Sequence, residues 1–287
     1  MISESLEELT SQELIAEYIS AKATLSPNSQ KLFRTQLHRF ARFLSFKEKE
    51  LLEVEEKDIA EYLAQYRYKK TKTTYKTVFS GFYKWCIKRK LMDENPTDDI
   101  VIKSGLKKKK EVMTEKDYKR FLTQCEGLRE YTLISFFWFT GVRAKELRHV
   151  KLEDVDFDNS MIFVAESKTD SGIRKIPIHV NFLRLLKKYL AKRSLLPTSE
   201  PWLFLTKRGT QFSERSIIHL ISKLQLSWNG PFSCHDFRRA FITRLYRATN
   251  DLVLCQRLAG HSDISTTRGY ILDDMTEHAK KFNAVDF

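Results

Sequence analysis

The sequence predicts a mainly α protein of two domains: an all-helical first domain, then a mixed α/β domain with a small antiparallel sheet among its helices. Three observations predict it. Apolar residues recur at helical spacing as far as Cys86. The stretch from Asp93 to Val112, DENPTDDIVIKSGLKKKKEV, breaks that pattern. Beyond it, short apolar runs bounded by turn residues lie among further helical stretches. A chain of 287 residues suits two domains, each large enough to bury a core.

In the first domain, Leu14, Ile15, Tyr18 and Ile19 mark a short helix after Ser11. Ser26-Pro27, a cap followed by proline at the first helical position, opens a second. Phe33, Leu37, Phe40 and Leu44 line one face of it. Ile59, Tyr62, Leu63 and Tyr66 indicate a third helix, and Tyr75, Val78, Phe79, Phe82, Trp85 and Cys86 a fourth. Asn95-Pro96 is expected to end that fourth helix, because the residue before proline disfavours the α region.

In the second domain, Thr114 is a good helix cap, and helices are expected near 115–125 and 128–139, with another starting near Arg143. Strands are expected around 156–157, 161–165 and 173–178, separated by Asp158-Asn159 and by Thr169 to Gly172. Helical patterning resumes at 180–193, 213–224, 235–248, 251–258, 263–270 and 274–282. The domains are placed at 1–97 and 113–287, with 98–112 as a basic linker.

Composition narrows the partners. Hydrophobic residues make up 42% and charged residues 30%, as in soluble globular proteins. The longest apolar run, Leu133 to Phe139, is too short to span a bilayer, and the acidic N-terminus carries no secretory pattern, so a cytoplasmic location is expected. Cys86, Cys125, Cys234 and Cys255 are widely spaced and read as reduced thiols rather than metal ligands or disulfides. The net charge of +13 attracts a polyanion, and nucleic acid is the commonest one. The run Lys107, Lys108, Lys109 and Lys110 is either a solvated linker or a phosphate-binding one.

Four stretches carry candidate chemistry. They are TGVRAKEL with Arg143, SKTDSGIRKIPI with Lys168 in a turn, HDFRRAFIT with His235 and Arg238 on one helical face, and LAGHSDISTTRGY with His261 and Tyr270. Singly, each residue has an ordinary reading: Glu146 would serve as an ion-pair partner for Arg143, and Arg238-Arg239 as plain phosphate binders.

Together these stretches resemble the tyrosine recombinase (lambda integrase-like) family, in particular its small Xer-type members, over nearly the whole chain. TGVRAKEL is similar to the family's first arginine box, HDFRRAFIT to its histidine-x-x-arginine box, and LAGHSDISTTRGY to its histidine-to-tyrosine box. Phe82 to Pro96 resembles the end of the family's core-binding domain. Lys145, Arg239, Ala240 and Ile271 depart from the common pattern without removing a catalytic group. The resemblance implies a SAM-like core-binding domain before a catalytic domain with a C-terminal exchange helix. It also implies a double-stranded DNA site as partner, and a homotetramer on two such sites or a complex with a second recombinase. Neither cofactor nor metal is expected.

The implied roles agree with phosphoryl-transfer chemistry. Tyr270 would attack the phosphodiester, His235 would take its proton, and Lys168 would protonate the departing 5′ oxygen. Arg143, Arg238 and His261 would bind the non-bridging oxygens, whose charge grows in the transition state. Lys168 fits the family's turn position better than Lys175 or Arg174 on the next strand. Arg239 joins the lysine run as a candidate DNA-binding residue. Chromosome or plasmid dimer resolution is the expected role. The alternatives are a small integrase of a mobile element, a type IB topoisomerase-like activity, and a catalytically silent DNA-binding regulator.

Overall fold

Contacts divide the chain into Met1–Lys108 and Lys109–Phe287 in the computed structural model, which describes residues 10–103, 111–165 and 173–261. Each unit has its own apolar core. Among the described residues, no helix is long and apolar enough to cross a membrane.

The first unit contains helices α1 (Ser11–Ala21), α2 (Pro27–Ser45), α3 (Glu56–Ala64) and α4 (Lys69–Lys88). Thr10 and Glu13 cap α1 reciprocally, and Ser26 caps α2 ahead of Pro27, as the sequence implies. Tyr18, Leu37, Phe40, Phe79 and Phe82 are buried where the four apolar stripes meet. The fourth helix ends earlier than expected, at Lys88 rather than at Asn95-Pro96. Lys90 adopts a left-handed conformation (φ 59°). The amides of Lys90 and Leu91 then bond back to the carbonyls of Ile87 and Cys86. This is a Schellman closure made without glycine, and Leu91 packs on the core beneath it. Asn95 belongs to a separate turn. Its Oδ1 accepts from the Thr97 amide (3.1 Å) and hydroxyl (2.9 Å), while Ile100 and Ile102 pack on the helical core.

The second unit opens with α5 (Glu115–Thr123), capped by Thr114, and α6 (Leu128–Thr140). After α7 (Ala144–His149), a three-stranded antiparallel sheet follows in the order β1 (Val155–Asp156), β2 (Met161–Val164) and β3 (Arg174–Pro177). Then come α8 (Val180–Arg193), α9 (Glu214–Leu224), α10 (Cys234–Thr249) and α11 (Leu252–Ala259). The expected helices at 263–270 and 274–282 lie outside the described residues.

Two packing features position the site. Phe237 on α10 is fully buried between Phe121 (ring centroids 5.0 Å apart) and Phe137 (5.9 Å). Burying such a ring stabilises by about 1.5–3 kcal/mol, so the aromatic contact sets the rotation of the helix that carries His235 and Arg238. In the sheet, Ile162 pairs with Ile176 and Val164 with Arg174. Alternation along β3 therefore buries Arg174 with Ile176 and turns Lys175 outward.

Candidate active site

A buried carboxylate organises the site. Glu146, in the first turn of α7, is 3% exposed. Its Oε2 accepts the backbone N–H of Arg143 (2.8 Å), and its Oε1 accepts from the Arg143 guanidinium (2.6 Å). The guanidinium of Arg174 reaches both carboxylate oxygens, at 3.3 and 3.1 Å, and that of Arg238 lies 4.0 Å away. Burial alone would raise the Glu146 carboxyl. The hydrogen bonds and charge of Arg174, with those of Arg143, outweigh burial and hold it below the usual carboxylate range.

Local sequence explains how Arg143 gets there. Helix α6 ends at Gly141, whose φ of 62° is left-handed, and the chain reverses through buried Val142 to start α7 at Arg143. A Cβ at Gly141 would come within 2.4 Å of the Phe241 ring, so glycine is required by space as well as by conformation. The Arg143 side chain stays about one-third exposed while it holds Glu146.

Arg238 is almost fully buried. It donates to the carbonyl of Gly141 (3.0 Å) and to that of Ala259. Two of its five donors thus fix the orientation of the guanidinium plane. His261 follows the left-handed Gly260 at the end of α11 and is also buried. Burial, reinforced by the charges of Arg238, Arg143 and Arg174 against the opposing Glu146, pulls its imidazole down to about 4. At neutral pH the ring is uncharged, with one N–H to donate.

The structure thus gathers Arg143, Arg238 and His261, drawn from three of the four sequence boxes, around Glu146. It adds Arg174, which sequence reasoning set aside as a neighbour of Lys175. Lys175 stands on the opposite face of β3, where its charge acts on the half-buried Asp156. His235 occupies the first turn of α10, three residues before Arg238, with an exposed side chain. Arg239 is half-buried, and its Nε has no hydrogen-bond partner among the described residues. Lys168, Tyr270 and the run Lys107 to Lys110 lie outside the described residues. Chemically, the cluster suits an anion whose charge grows during reaction: fixed guanidinium donors and a neutral imidazole in a water-poor setting.

Comparison with known proteins agrees with that chemistry. The profile of the phage integrase family matches residues 111–277, and that of the phage integrase N-terminal SAM-like domain matches residues 14–90. The chain is 26% identical over 259 residues to tyrosine recombinase XerD of Ralstonia nicotianae, covering 86% of this chain and 84% of the relative. It is 29% identical over 260 residues to XerD of Pseudomonas aeruginosa, covering 86% and 87%. Among solved structures, the fold is similar to that of the Tn1549 transposon integrase in complex with circular intermediate DNA. There the TM-score is 0.82 at 21% identity, over 96% of this chain and 100% of the other. It is also similar to XerH bound to its difH substrate, with a TM-score of 0.70 at 20% identity over 96% and 85%.

Proposed function

The chain belongs to the phage integrase family, the tyrosine recombinases, and on that premise we propose that it cleaves and rejoins double-stranded DNA at a specific site through a 3′-phosphotyrosine intermediate. The observation that carries this reading is the convergence of Arg143 and Arg238 on one buried carboxylate, with buried His261 within reach of their charges. A packing helix bundle has no need to bury the guanidinium groups of Arg238 and Arg174 beside one carboxylate, since each buried cation costs several kcal/mol of desolvation.

In the proposed reaction the Tyr270 oxygen attacks phosphorus and passes its proton to His235. The bond from phosphorus to the 5′ oxygen breaks, and Lys168 gives that oxygen its proton. Arg143 and Arg238 bind the non-bridging oxygens, and neutral His261 donates a further hydrogen bond. The phosphotyrosine ester conserves the bond energy, so a 5′ hydroxyl from the partner strand reverses the step without an external energy source. The outward orientation of Lys175 on β3 supports Lys168 as the acid. Arg239, half-buried and next to Arg238 on α10, is taken with Lys107, Lys108, Lys109 and Lys110 as a residue that contacts DNA.

Residues 1–97 form the core-binding domain in this reading, 98–112 the linker and 113–287 the catalytic domain with its exchange helix. Similarity to two XerD proteins over 86% of the chain favours chromosome or plasmid dimer resolution in the cytoplasm. The working complex is a tetramer on two DNA sites, made of this chain alone or with a second recombinase. The tail from Ile271 to Phe287 would dock on the next subunit; it lies outside the described residues.

The test is covalent trapping. DNA selected by the purified protein is nicked near the exchange point and incubated with it. A denaturant-resistant adduct is expected with the parent protein and none with Tyr270→Phe, which still binds. Tight, specific binding with no adduct would make the protein a silent regulator of the same fold.

A further inference from the structure

The guanidinium of Arg174 reaches both oxygens of the organising carboxylate, whereas that of Arg143 bonds to one of them and that of Arg238 lies 4.0 Å away. The two terminal nitrogens of Arg174 lie 3.3 and 3.1 Å from the two oxygens of Glu146, and its Nε donates to the carbonyl of Leu258 at 2.7 Å. Leu258 is in the last turn of α11, just before the Gly260-His261 turn. The guanidinium also lies flat against that turn. A Cβ on Gly260 would meet Arg174 Nη1 at 2.8 Å and its Cδ and Cζ at 3.1 Å. One buried side chain therefore connects β3, Glu146 on α7 and the segment that presents His261.

The charges show what this connection does. Three guanidinium groups and one carboxylate leave two net positive charges in the cluster, with His261 neutral at ordinary pH. A phosphodiester carries one negative charge, and its pentacoordinate transition state approaches two. The cluster is matched to the transition state, the condition under which binding accelerates a reaction. Without Arg174, Glu146 would draw on Arg143 and Arg238, and the charge offered to phosphate would fall by one.

We propose that Arg174 is a positioning residue of the active site: it neutralises Glu146 so that Arg143 and Arg238 keep their charge for the phosphate, and it locks the turn that presents His261. The proposal rests on the recombinase reading above. Arg174 need not touch DNA to act in this way.

The test compares three full-length variants, Arg174→Met, Arg174→Lys and Arg174→Met/Glu146→Gln, with the parent. Circular dichroism and thermal melting report folding, titration reports affinity for the selected DNA, and single-turnover trapping on the nicked site reports cleavage. Arg174→Met is expected to bind DNA within about twofold of the parent yet form adduct about 100-fold more slowly, the size of effect seen when an aimed donor is removed. Arg174→Lys keeps the charge but not the fork and is expected to lose about tenfold. Removing the carboxylate as well, in the double variant, is expected to recover about tenfold over Arg174→Met. Packing alone would not produce that recovery. Adduct formation by Arg174→Met at the parent's rate overturns the proposal, and so does a loss that Glu146→Gln leaves unrelieved. If Arg174→Met does not fold, folded Arg174→Lys decides, and a parental rate there overturns the proposal. A parent that forms no adduct removes the recombinase reading itself, and this inference with it.

Discussion

The guanidinium of Arg238 donates to the carbonyl of Gly141, 97 positions earlier in the chain, at 3.0 Å. This bond joins the two arginine boxes through the backbone turn that launches α7, so Gly141 matters to both. Gly141→Ala would force a left-handed alanine (φ 62°) and push a methyl to within 2.4 Å of Phe241. Left-handed strain costs about 1–2 kcal/mol, and overpacking about 1–3 kcal/mol more. We expect a loss on the order of 2–5 kcal/mol in urea unfolding, with slower DNA cleavage because Arg143 and Arg238 shift together. Unchanged stability would show that the turn relaxes at no cost.

That hydrogen bond also shows where sequence reading stops. Arg143 was legible because it stands at a helix start in TGVRAKEL, which resembles the family's first arginine box, and Glu146 was visible as its partner one helical turn on. The partners of Arg238 were not legible. Among the described residues they include the carbonyls of Gly141 and Ala259, and a backbone acceptor leaves no mark on residue identity. Arg174 was hidden for a different reason. Its partner Glu146 lies 28 positions away, and only the β2–β3 register, with Val164 opposite Arg174, turns it inward. The early end of α4 escaped notice because a lysine, not a glycine, takes the left-handed position there.

Arg143 and Arg238 should separate when each is truncated. Arg143 is partly exposed, so Arg143→Ala should cost little stability while slowing adduct formation roughly 10²- to 10³-fold, as for removal of a transition-state donor. Arg238→Ala should slow it at least as much. It also strips the carbonyls of Gly141 and Ala259 of a donor, adding roughly 1–3 kcal/mol of destabilisation for each. Urea melts beside single-turnover trapping make the comparison. Equal stability of the two variants would contradict the anchoring role given to Arg238.

His261 should make stability depend on pH. Its folded value of about 4 lies below the unfolded histidine value near 6.5, so on acidification the unfolded chain takes up this proton first. The contribution is complete above pH ~6.5 and is lost as pH falls towards about 4. The full shift corresponds to roughly 3 kcal/mol. His261→Gln should flatten the stability profile across that window and leave it unchanged above it. Unfolding free energies at pH 7 and pH 4.5 for both proteins provide the measurement, and equal slopes would mean that the imidazole takes up its proton at the same pH in the folded and unfolded chain.

The lysine run should contribute to binding without contributing to specificity. Replacing Lys107, Lys108, Lys109 and Lys110 by alanine should weaken binding to all DNA sequences alike. It should also reduce the slope of log affinity against log salt by about 0.9 for each phosphate no longer neutralised. Titrations on selected and scrambled DNA at several salt concentrations separate the two effects. An unaltered slope would make the run a solvated linker.

The last prediction assigns the acid. Strand alternation turns Lys175 away from Glu146, Arg174 and Arg238 towards the half-buried Asp156, whereas Lys168 lies between β2 and β3 in the sequence. If Lys168 protonates the departing 5′ oxygen, Lys168→Ala should cut slowly on ordinary DNA, because an alkoxide is then expelled unprotonated. A substrate with sulfur at the 5′ bridging position expels a thiolate that needs no proton, so cleavage by Lys168→Ala should return to near the parent's rate on it. Lys175→Ala should behave like the parent on both substrates, since its charge faces away from the cluster. A variant that merely misfolds would be slow on both substrates, which separates structural damage from loss of the acid. If the sulfur substrate rescued Lys175→Ala and not Lys168→Ala, the roles would be reversed. β3 would then have to twist out of the register that now pairs Phe163 with Lys175.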